Sequence, residues 1–103
     1  MMKNIYMYIQ DTMADFEHGY LMQALSLQSM LGEAKVKLVT VSKGKKSIKT
    51  AGGMTIVPDV NLYDLDTANA AALVLIGGDT WLDNEQDDVL EVASKLLQEN
   101  ILV

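Results

Sequence analysis

The chain has 103 residues, a net charge of −6 and no cysteine. Its length suits one domain or part of one, and its 50% hydrophobic and 21% charged residues are typical of a globular protein. Fourteen acids against eight basic residues argue against nucleic-acid binding, which requires a positive surface. The missing thiol excludes disulfides, thiolate metal sites and a cysteine nucleophile within these residues.

No membrane segment is expected, because no apolar run approaches the ~20 residues that cross a bilayer. The first nine residues carry one positive charge and lack a small-residue cleavage site. They are interpreted as a first strand and not as a signal peptide. We therefore expect a cytoplasmic protein that binds neither membrane nor nucleic acid and needs no cofactor.

The first third of the chain predicts a strand followed by a helix. Ile5–Ile9 is a short apolar run typical of a buried strand. Thr12 and Asp15 have the spacing of a helix capping box, and the predicted helix runs to about Leu31 before Gly32 ends it. One apolar stripe recurs at helical spacing and is expected to face the core: Phe16, Tyr20, Ala24, Leu27 and Leu31.

The middle of the chain predicts a second strand and irregular connections. Val36–Val41 is β-branched and apolar, as strands are. Lys43–Lys49 is interpreted as a solvated basic loop. Residues 47–57 contain Gly52-Gly53 between short extended pieces, and Pro58-Asp59 ends that segment. A single helical turn is predicted over Leu62–Leu65.

The last third predicts a strand, a helix and the start of another strand. Leu73–Ile76 is the strand, and Asn84 is predicted to cap a helix over about 85–99 whose first turn holds Glu85, Asp87 and Asp88. Its apolar stripe is predicted to contain Val89, Ala93 and Leu96, with Leu90 and Leu97 beside them. Asn100 is a plausible stop, and residues 101–103 begin a further strand.

This order of elements predicts the fold class. Continuous apolar strands that alternate with amphipathic helices indicate a parallel sheet with helices on both faces. Right-handed crossovers then give a doubly wound, flavodoxin-like α/β/α sandwich. We expect residues 1–103 to form a single domain that is cut short, because the last predicted strand has only three residues and no polar tail follows it.

Glu17 is the acid that stands out as a candidate for chemistry. It lies near the start of the first helix, beside the apolar stripe, and this end of the helix is predicted to lie over the carboxyl edge of the sheet, where ligands bind. A partly desolvated carboxyl group there can act as a hydrogen-bond donor or a proton shuttle. An ordinary first-turn acid favoured by the helix dipole is the alternative.

Gly77 and Gly78 follow the central strand on the other side of the same crevice. Glycines at this point let backbone N–H groups approach a ligand or a developing oxyanion. A tight turn is the alternative. The pair belongs to neither a dinucleotide-binding nor a nucleoside-triphosphate-binding glycine motif.

Other candidate residues are weaker. His18, the one histidine, is expected to be a partly exposed helix residue. Trp81 either closes over the crevice or covers the start of the second helix. A receiver-like phosphorylation domain would need paired acids after the first strand, where Asp11 stands alone, and an aspartate where Gly77 is found.

Four segments together resemble the N-terminal half of the ThiJ/PfpI family, in the class I glutamine amidotransferase-like superfamily. They are "MADFEHGY", "VKLVTVS", "IKTAGGMTIVPDVNLYDL" and "AALVLIGGDTW", and their order and spacing are more specific than any one of them. The sequence departs from many members at Ile76, because those members have a proline at this position before the glycines.

The resemblance implies roles for the candidate residues. The acid at Glu17 would hydrogen-bond a cysteine nucleophile, and the backbone at Gly77-Gly78 would face it as part of an oxyanion site. That cysteine and a histidine partner are expected beyond Val103. The implied activities are those of a peptidase or amidase, a glyoxalase or deglycase, or a stress-related chaperone or sensor. A homodimer acting on a small molecule or peptide is expected for the full-length protein, and the alternative is a non-enzymatic flavodoxin-like binding or interaction domain.

Overall fold

A parallel sheet forms the centre of the molecule. The structure, a computed structural model, describes residues 3–32, 35–81, 83 and 86–103. Four parallel strands lie in the order β5-β2-β1-β6. They are β1 (Lys3–Tyr8), β2 (Val36–Ser42), β5 (Val60–Asn61) and β6 (Ala70–Leu75). The other elements are the antiparallel pair β3 (Ile48–Lys49) and β4 (Thr55–Ile56), and the helices α1 (Asp15–Met30) and α2 (Asp87–Gln98).

Each face of the sheet has its own hydrophobic cluster. Tyr6 and Tyr8 of β1 pack in one cluster with buried residues of α2, whereas Met7 and Ile9 pack in the other with Leu21 of α1. Successive strand side chains point to opposite faces, so the two helices cover opposite sides of the sheet. The predicted α/β sandwich with a doubly wound parallel sheet is confirmed.

The chain reverses its direction of travel across the sheet at β1. The first crossover, through α1, leads to β2 on one side, and the later return places β6 on the other side. Such a switch point opens a crevice at the carboxyl ends of the strands. Leu102 forms a parallel bridge with Ala72 of β6, which agrees with the predicted start of a further strand.

Several predicted turns and helix ends are confirmed. A 3₁₀ turn occupies Leu62–Asp64, and Gly32 has a φ of 71° after α1. Asn100 follows α2 with a φ of 61°, and its N–H donates to the Leu97 carbonyl while the Ile101 N–H donates to that of Leu96. These two bonds form a Schellman motif, which satisfies carbonyls that the helix end leaves open.

The predicted capping box at the start of α1 is wrong. Thr12 has a φ of 68°, and its Oγ1 accepts a hydrogen bond from the Asp79 N–H at 3.2 Å. Asp15 Oδ2 accepts from the Gly52 N–H at 2.8 Å. Both side chains therefore bind neighbouring loops, which the local spacing of a capping box does not reveal.

The apolar stripe of α1 faces away from the sheet, which contradicts the prediction. Phe16 is 68% exposed, Tyr20 76% and Leu31 73%, and Ala24 and Leu27 are exposed as well. The inward side instead carries Glu17, His18 and Leu21, of which His18 is buried and the other two are half-buried. Helical spacing shows which residues share a face, but it does not show which way that face points.

The stripe of α2 faces the core as predicted. Val89, Ala93 and Leu96 are buried, whereas Leu90 and Leu97, which were predicted to belong to the same stripe, are exposed, so the prediction is wrong for these two. Asp87 and Asp88 lie in its first turn, and Gln86 occupies the N-cap position without a side-chain capping bond. The predicted cap at Asn84 and first-turn acid at Glu85 lie outside the described residues.

Candidate functional site

Glu17 and Gly77 meet at the carboxyl edge of the sheet. The Gly77 N–H donates to Glu17 Oε1 at 3.1 Å, although 60 residues separate them in the chain. The first turn of α1 supplies the carboxyl group, and the loop after β6 supplies the backbone donor. The two candidates from opposite sides of the predicted crevice are therefore in direct contact.

Gly77 is a glycine because the carboxyl group of Glu17 fills the place of a side chain. A Cβ built on Gly77 would lie 2.6 Å from Glu17 Oε2 and 3.2 Å from Oε1. Its φ lies outside the left-handed region, which is occupied by Gly32, Gly44 and Gly53. Close approach of the carboxyl group, and not an unusual backbone angle, therefore requires a glycine here.

The next peptide group, between Gly77 and Gly78, places a second backbone donor in this loop. The Gly77 carbonyl accepts from the Ala14 N–H at 2.8 Å. Because C=O and N–H point in opposite directions across a trans peptide, the Gly78 N–H points away from Ala14. Within the described part of the chain this N–H has no hydrogen-bond acceptor. A Cβ on Gly78 would lie 3.2 Å from Gln10 Nε2.

Gln10 is a residue of this site that the sequence analysis missed. It follows β1 directly and is only 3% exposed. Its Nε2 donates to the Ile76 carbonyl at 3.2 Å, and the Trp81 indole Nε1 donates to the same carbonyl at 2.8 Å. The available signal was a polar residue placed directly after a buried strand, at the edge where parallel strands end.

A buried polar network fixes the orientation of Gln10. Its Oε1 accepts from Gln86 Nε2 at 2.7 Å and also from the Thr80 hydroxyl. Gln86 Oε1 in turn accepts from the Tyr8 hydroxyl at 2.8 Å, and its Nε2 also contacts Thr80 Oγ1 at 2.6 Å. The network joins the loop after β1, the loop after β6 and the start of α2.

Trp81 packs inward against β1. Its ring centroid lies 5.9 Å from that of Tyr8, and the side chain is half-buried against the cluster on the α2 side of the sheet. Of the two predicted placements, the structure favours the one in which Trp81 covers the region next to α2.

His18 is buried, so the prediction of a partly exposed residue is wrong. Its Nε2 lies 3.9 Å from Asp15 Oδ1, beyond hydrogen-bond distance, and has no hydrogen-bond partner among the described residues. No hydrogen bond connects it with Glu17 or the glycine loop within the described ranges. The structure gives His18 no part in the candidate site.

The other acids near the crevice hold loops in place. Asp11 accepts from Lys45 Nζ at 2.8 Å and from the Lys49 N–H at 2.9 Å, and these bonds lower the pKa of its carboxyl group. The Thr50 hydroxyl, and then the Gly52 N–H, lower the pKa of Asp15. Both carboxylates are therefore structural partners of the segment around β3.

A cavity of about 200 Å³ opens beside the polar network. Lys43 and Lys45 lie at its rim, and Lys43 Nζ also pairs with Asp88 at 2.8 Å. The other lining residues are Tyr8, Ile9, Gln10 and Gln86. In the parts of the chain that the structure covers, no cluster of three or more His, Asp or Glu side chains could hold a metal ion.

Comparison with known proteins identifies the family. The family model described as the DJ-1/PfpI family matches residues 3–103, and thus nearly the whole chain. The chain belongs to the DJ-1/PfpI family. The sequence resemblance to ThiJ/PfpI proteins is thereby confirmed.

Individual relatives of the DJ-1/PfpI family agree with this. An uncharacterized protease, YoaZ of Bacillus subtilis (strain 168), is 32% identical over 98 residues, which are 93% of this chain and 47% of YoaZ. The DJ-1 superfamily protein Atu0886 from Agrobacterium tumefaciens has a TM-score of 0.80 and 26% identity, over 99% of this chain and 52% of that one. A thiJ/pfpI family protein from Bacillus anthracis has a TM-score of 0.76 and 31% identity, over 95% and 47%.

The chain spans about half the length of the relatives it matches. None of the helices within the described residues is long and apolar enough to cross a membrane.

Proposed function

We propose that the chain supplies the N-terminal half of a cysteine-dependent hydrolase site of the DJ-1/PfpI type. The observation that carries this proposal is the hydrogen bond between the Gly77 N–H and Glu17 Oε1. It brings together, at the carboxyl edge of a parallel sheet, an acid and a glycine loop to which the family resemblance assigns a shared site. The nucleophile is a cysteine contributed by sequence beyond Val103.

Glu17 serves as the carboxyl partner of that thiol. Oε1 accepts from the Gly77 N–H, which leaves Oε2 to bond a second group. A carboxyl group that hydrogen-bonds a thiol influences its protonation and therefore its nucleophilicity.

The Gly78 N–H serves as the donor to the developing oxyanion. It has no acceptor among the described residues, and its direction is set by the bond between the Ala14 N–H and the Gly77 carbonyl. A pre-oriented backbone donor costs no reorganisation when charge develops on a carbonyl oxygen.

The substrate class is a small carbonyl compound or a peptide. YoaZ is named as a protease, and this name favours hydrolysis of an amide or peptide bond over glyoxalase or deglycase chemistry. The complete protein is proposed to work as a homodimer in the cytoplasm, and the exposed apolar stripe of α1 supports the existence of a partner surface.

A non-enzymatic binding domain is the second candidate. The cavity beside Gln10 and Gln86 favours it, because a space of about 200 Å³ lined by polar and cationic groups suits a small solute. In that case the glycine loop lines a binding site and has no catalytic role.

Thiol chemistry distinguishes the two candidates. The coding sequence beyond Val103 is read, and the encoded protein is tested for alkylation of its cysteine between pH 4 and 9. We expect Glu17→Gln to change the pH profile of alkylation, whereas the exposed Glu91→Gln on α2 leaves it unchanged. A continuation without cysteine, or an unchanged profile in Glu17→Gln, contradicts the proposal.

A further inference from the structure

The Ile76–Gly77 peptide group is held at both ends. Its N–H, on Gly77, donates to Glu17 Oε1 at 3.1 Å. Its carbonyl oxygen, on Ile76, accepts from Trp81 Nε1 at 2.8 Å and from Gln10 Nε2 at 3.2 Å. The group is planar and trans, so fixing the direction of the carbonyl also fixes the direction of the N–H.

We propose that Gln10 and Trp81 are positioning residues, which aim the Gly77 N–H at Glu17 by holding the carbonyl oxygen of the same peptide group. Donors and acceptors of these hydrogen bonds all lie within the described chain. Only their consequence for a reaction rests on the proposed function, through the role of Glu17 there.

The two donors act on the strength of the Gly77 bond as well as on its direction. A carbonyl that accepts hydrogen bonds polarises its peptide group, and hydrogen bonds in such chains strengthen one another by roughly 10–30% per bond. Removal of either donor therefore weakens the bond from Gly77 to the carboxyl group and also loosens its alignment.

The two possible orientations of the Gln10 side-chain amide are not equivalent. Its Oε1 faces two donors, Gln86 Nε2 and the Thr80 hydroxyl. A flipped amide would place an NH₂ group against Gln86 Nε2 and an oxygen against the Ile76 carbonyl, and both contacts would be repulsive. The network therefore selects the orientation in which Nε2 faces the carbonyl of Ile76.

The orientation of Trp81 is also fixed, in this case by packing. Its ring lies against Tyr8 with an interplanar angle of 52°, and this contact directs the indole N–H to Ile76. A phenylalanine in its place keeps an aromatic contact with Tyr8 but has no N–H to donate.

The test is an NMR pH titration of the chain as it stands, labelled with ¹⁵N and ¹³C. Because the Gly77 N–H bonds the Glu17 carboxyl group, its amide signal should move as that carboxyl group takes up a proton. We compare Gln10→Met, Trp81→Phe and the double variant with the unmutated chain. Each single variant should reduce the pH-dependent movement of the Gly77 signal by roughly 10–30%, the contribution of one polarising bond, and the double variant should reduce it further.

Matched controls separate this effect from general destabilisation. Gln23→Met removes an exposed glutamine of α1, and Tyr63→Phe removes an exposed aromatic donor to Asp88. Both controls should leave the Gly77 titration unchanged. If Gln10→Met and Trp81→Phe fold and show the full movement of the Gly77 signal, the proposal is wrong.

If the variants do not fold, a measurement on the unmutated chain still tests the proposal. The Trp81 indole N–H should exchange slowly with solvent and show a nuclear Overhauser contact with the Gln10 side-chain amide. Rapid exchange of that proton would overturn the proposal. None of these measurements involves a thiol, so a failure here is distinct from a failure of the proposed hydrolase function.

Discussion

Asp15 at the start of α1 binds the turn between β3 and β4 through its side chain. Its Oδ2 accepts from the Gly52 N–H at 2.8 Å, and the Ala51 N–H donates to the Met13 carbonyl at 2.9 Å beside it. These bonds join a loop of the candidate crevice to the small antiparallel pair. The start of α1, and with it Glu17, is therefore held from outside the main sheet.

Acid should weaken this link. The Thr50 hydroxyl and the Gly52 N–H lower the pKa of Asp15 in the folded chain. A depressed folded pKa adds stability above the unfolded pKa, which is lost as the pH falls through the folded value. The free energy of unfolding in urea should therefore decrease below about pH 4, and Asp15→Asn should make this decrease smaller. An equally steep decrease in Asp15→Asn would contradict the assignment, and Asp64→Asn on the exposed 3₁₀ turn is the control.

Gly77→Ala should displace the carboxyl group of Glu17 with little effect on stability. The new Cβ would lie 2.6 Å from Glu17 Oε2, so the flexible side chain must turn away and the bond to the Gly77 N–H is lost. That loss costs about 1 kcal/mol, and reduced freedom of the unfolded chain returns roughly 0.4–1 kcal/mol.

A comparison with Gly53→Ala makes the test specific. Gly53 has a φ of 99°, so alanine there should destabilise the chain by more than about 1 kcal/mol. Urea unfolding gives the two stabilities, and a crystal structure or the Gly77 amide signal reports the position of Glu17. An undisturbed Glu17 in Gly77→Ala would show that the glycine is not reserved for its carboxyl group.

The sequence predicted the sheet better than it predicted the contacts made by side chains. β6 is apolar along its whole length and β1 is apolar from Ile5 onward, so the existence of both strands follows from composition and run length. The placement of Glu17 and Gly77 at one crevice could be predicted because parallel strands end at one edge of the sheet, whereas their direct contact could not. Gln10 was missed because its partners lie 66 and more residues away, and no local spacing reports such bonds.

The outward stripe of α1 should promote self-association. Phe16 and Tyr20 are exposed on it, in an edge-to-face pair with centroids 6.4 Å apart. Exposed apolar patches of this kind mark interaction surfaces or aggregation sites. Phe16→Ser with Tyr20→Ser should lower the apparent mass in sedimentation at high protein concentration. Tyr63→Ser, another exposed aromatic, should not, and an unchanged mass in the double variant would exclude this face.

Thr12 should be a source of strain that a substitution can relieve. A β-branched residue with a φ of 68° is a true outlier, and such strain costs roughly 1–3 kcal/mol. Asparagine tolerates this conformation, as Asn100 does at 61°, and its side-chain oxygen can still accept from the Asp79 N–H. We expect Thr12→Asn to raise the free energy of unfolding by about 1 kcal/mol.

The reciprocal change tests the same argument at an independent site. Asn100→Thr introduces a β-branched residue at the end of α2, where the left-handed angle completes the Schellman motif. It should lower the free energy of unfolding by roughly the amount that Thr12→Asn gains, because both changes alter the same backbone preference. If Thr12→Asn is neutral while Asn100→Thr is destabilising, asparagine does not reproduce the bond that Thr12 Oγ1 accepts from the Asp79 N–H, and the loss of this bond offsets the strain that is relieved. The left-handed threonine would then be retained for its contact with the glycine loop.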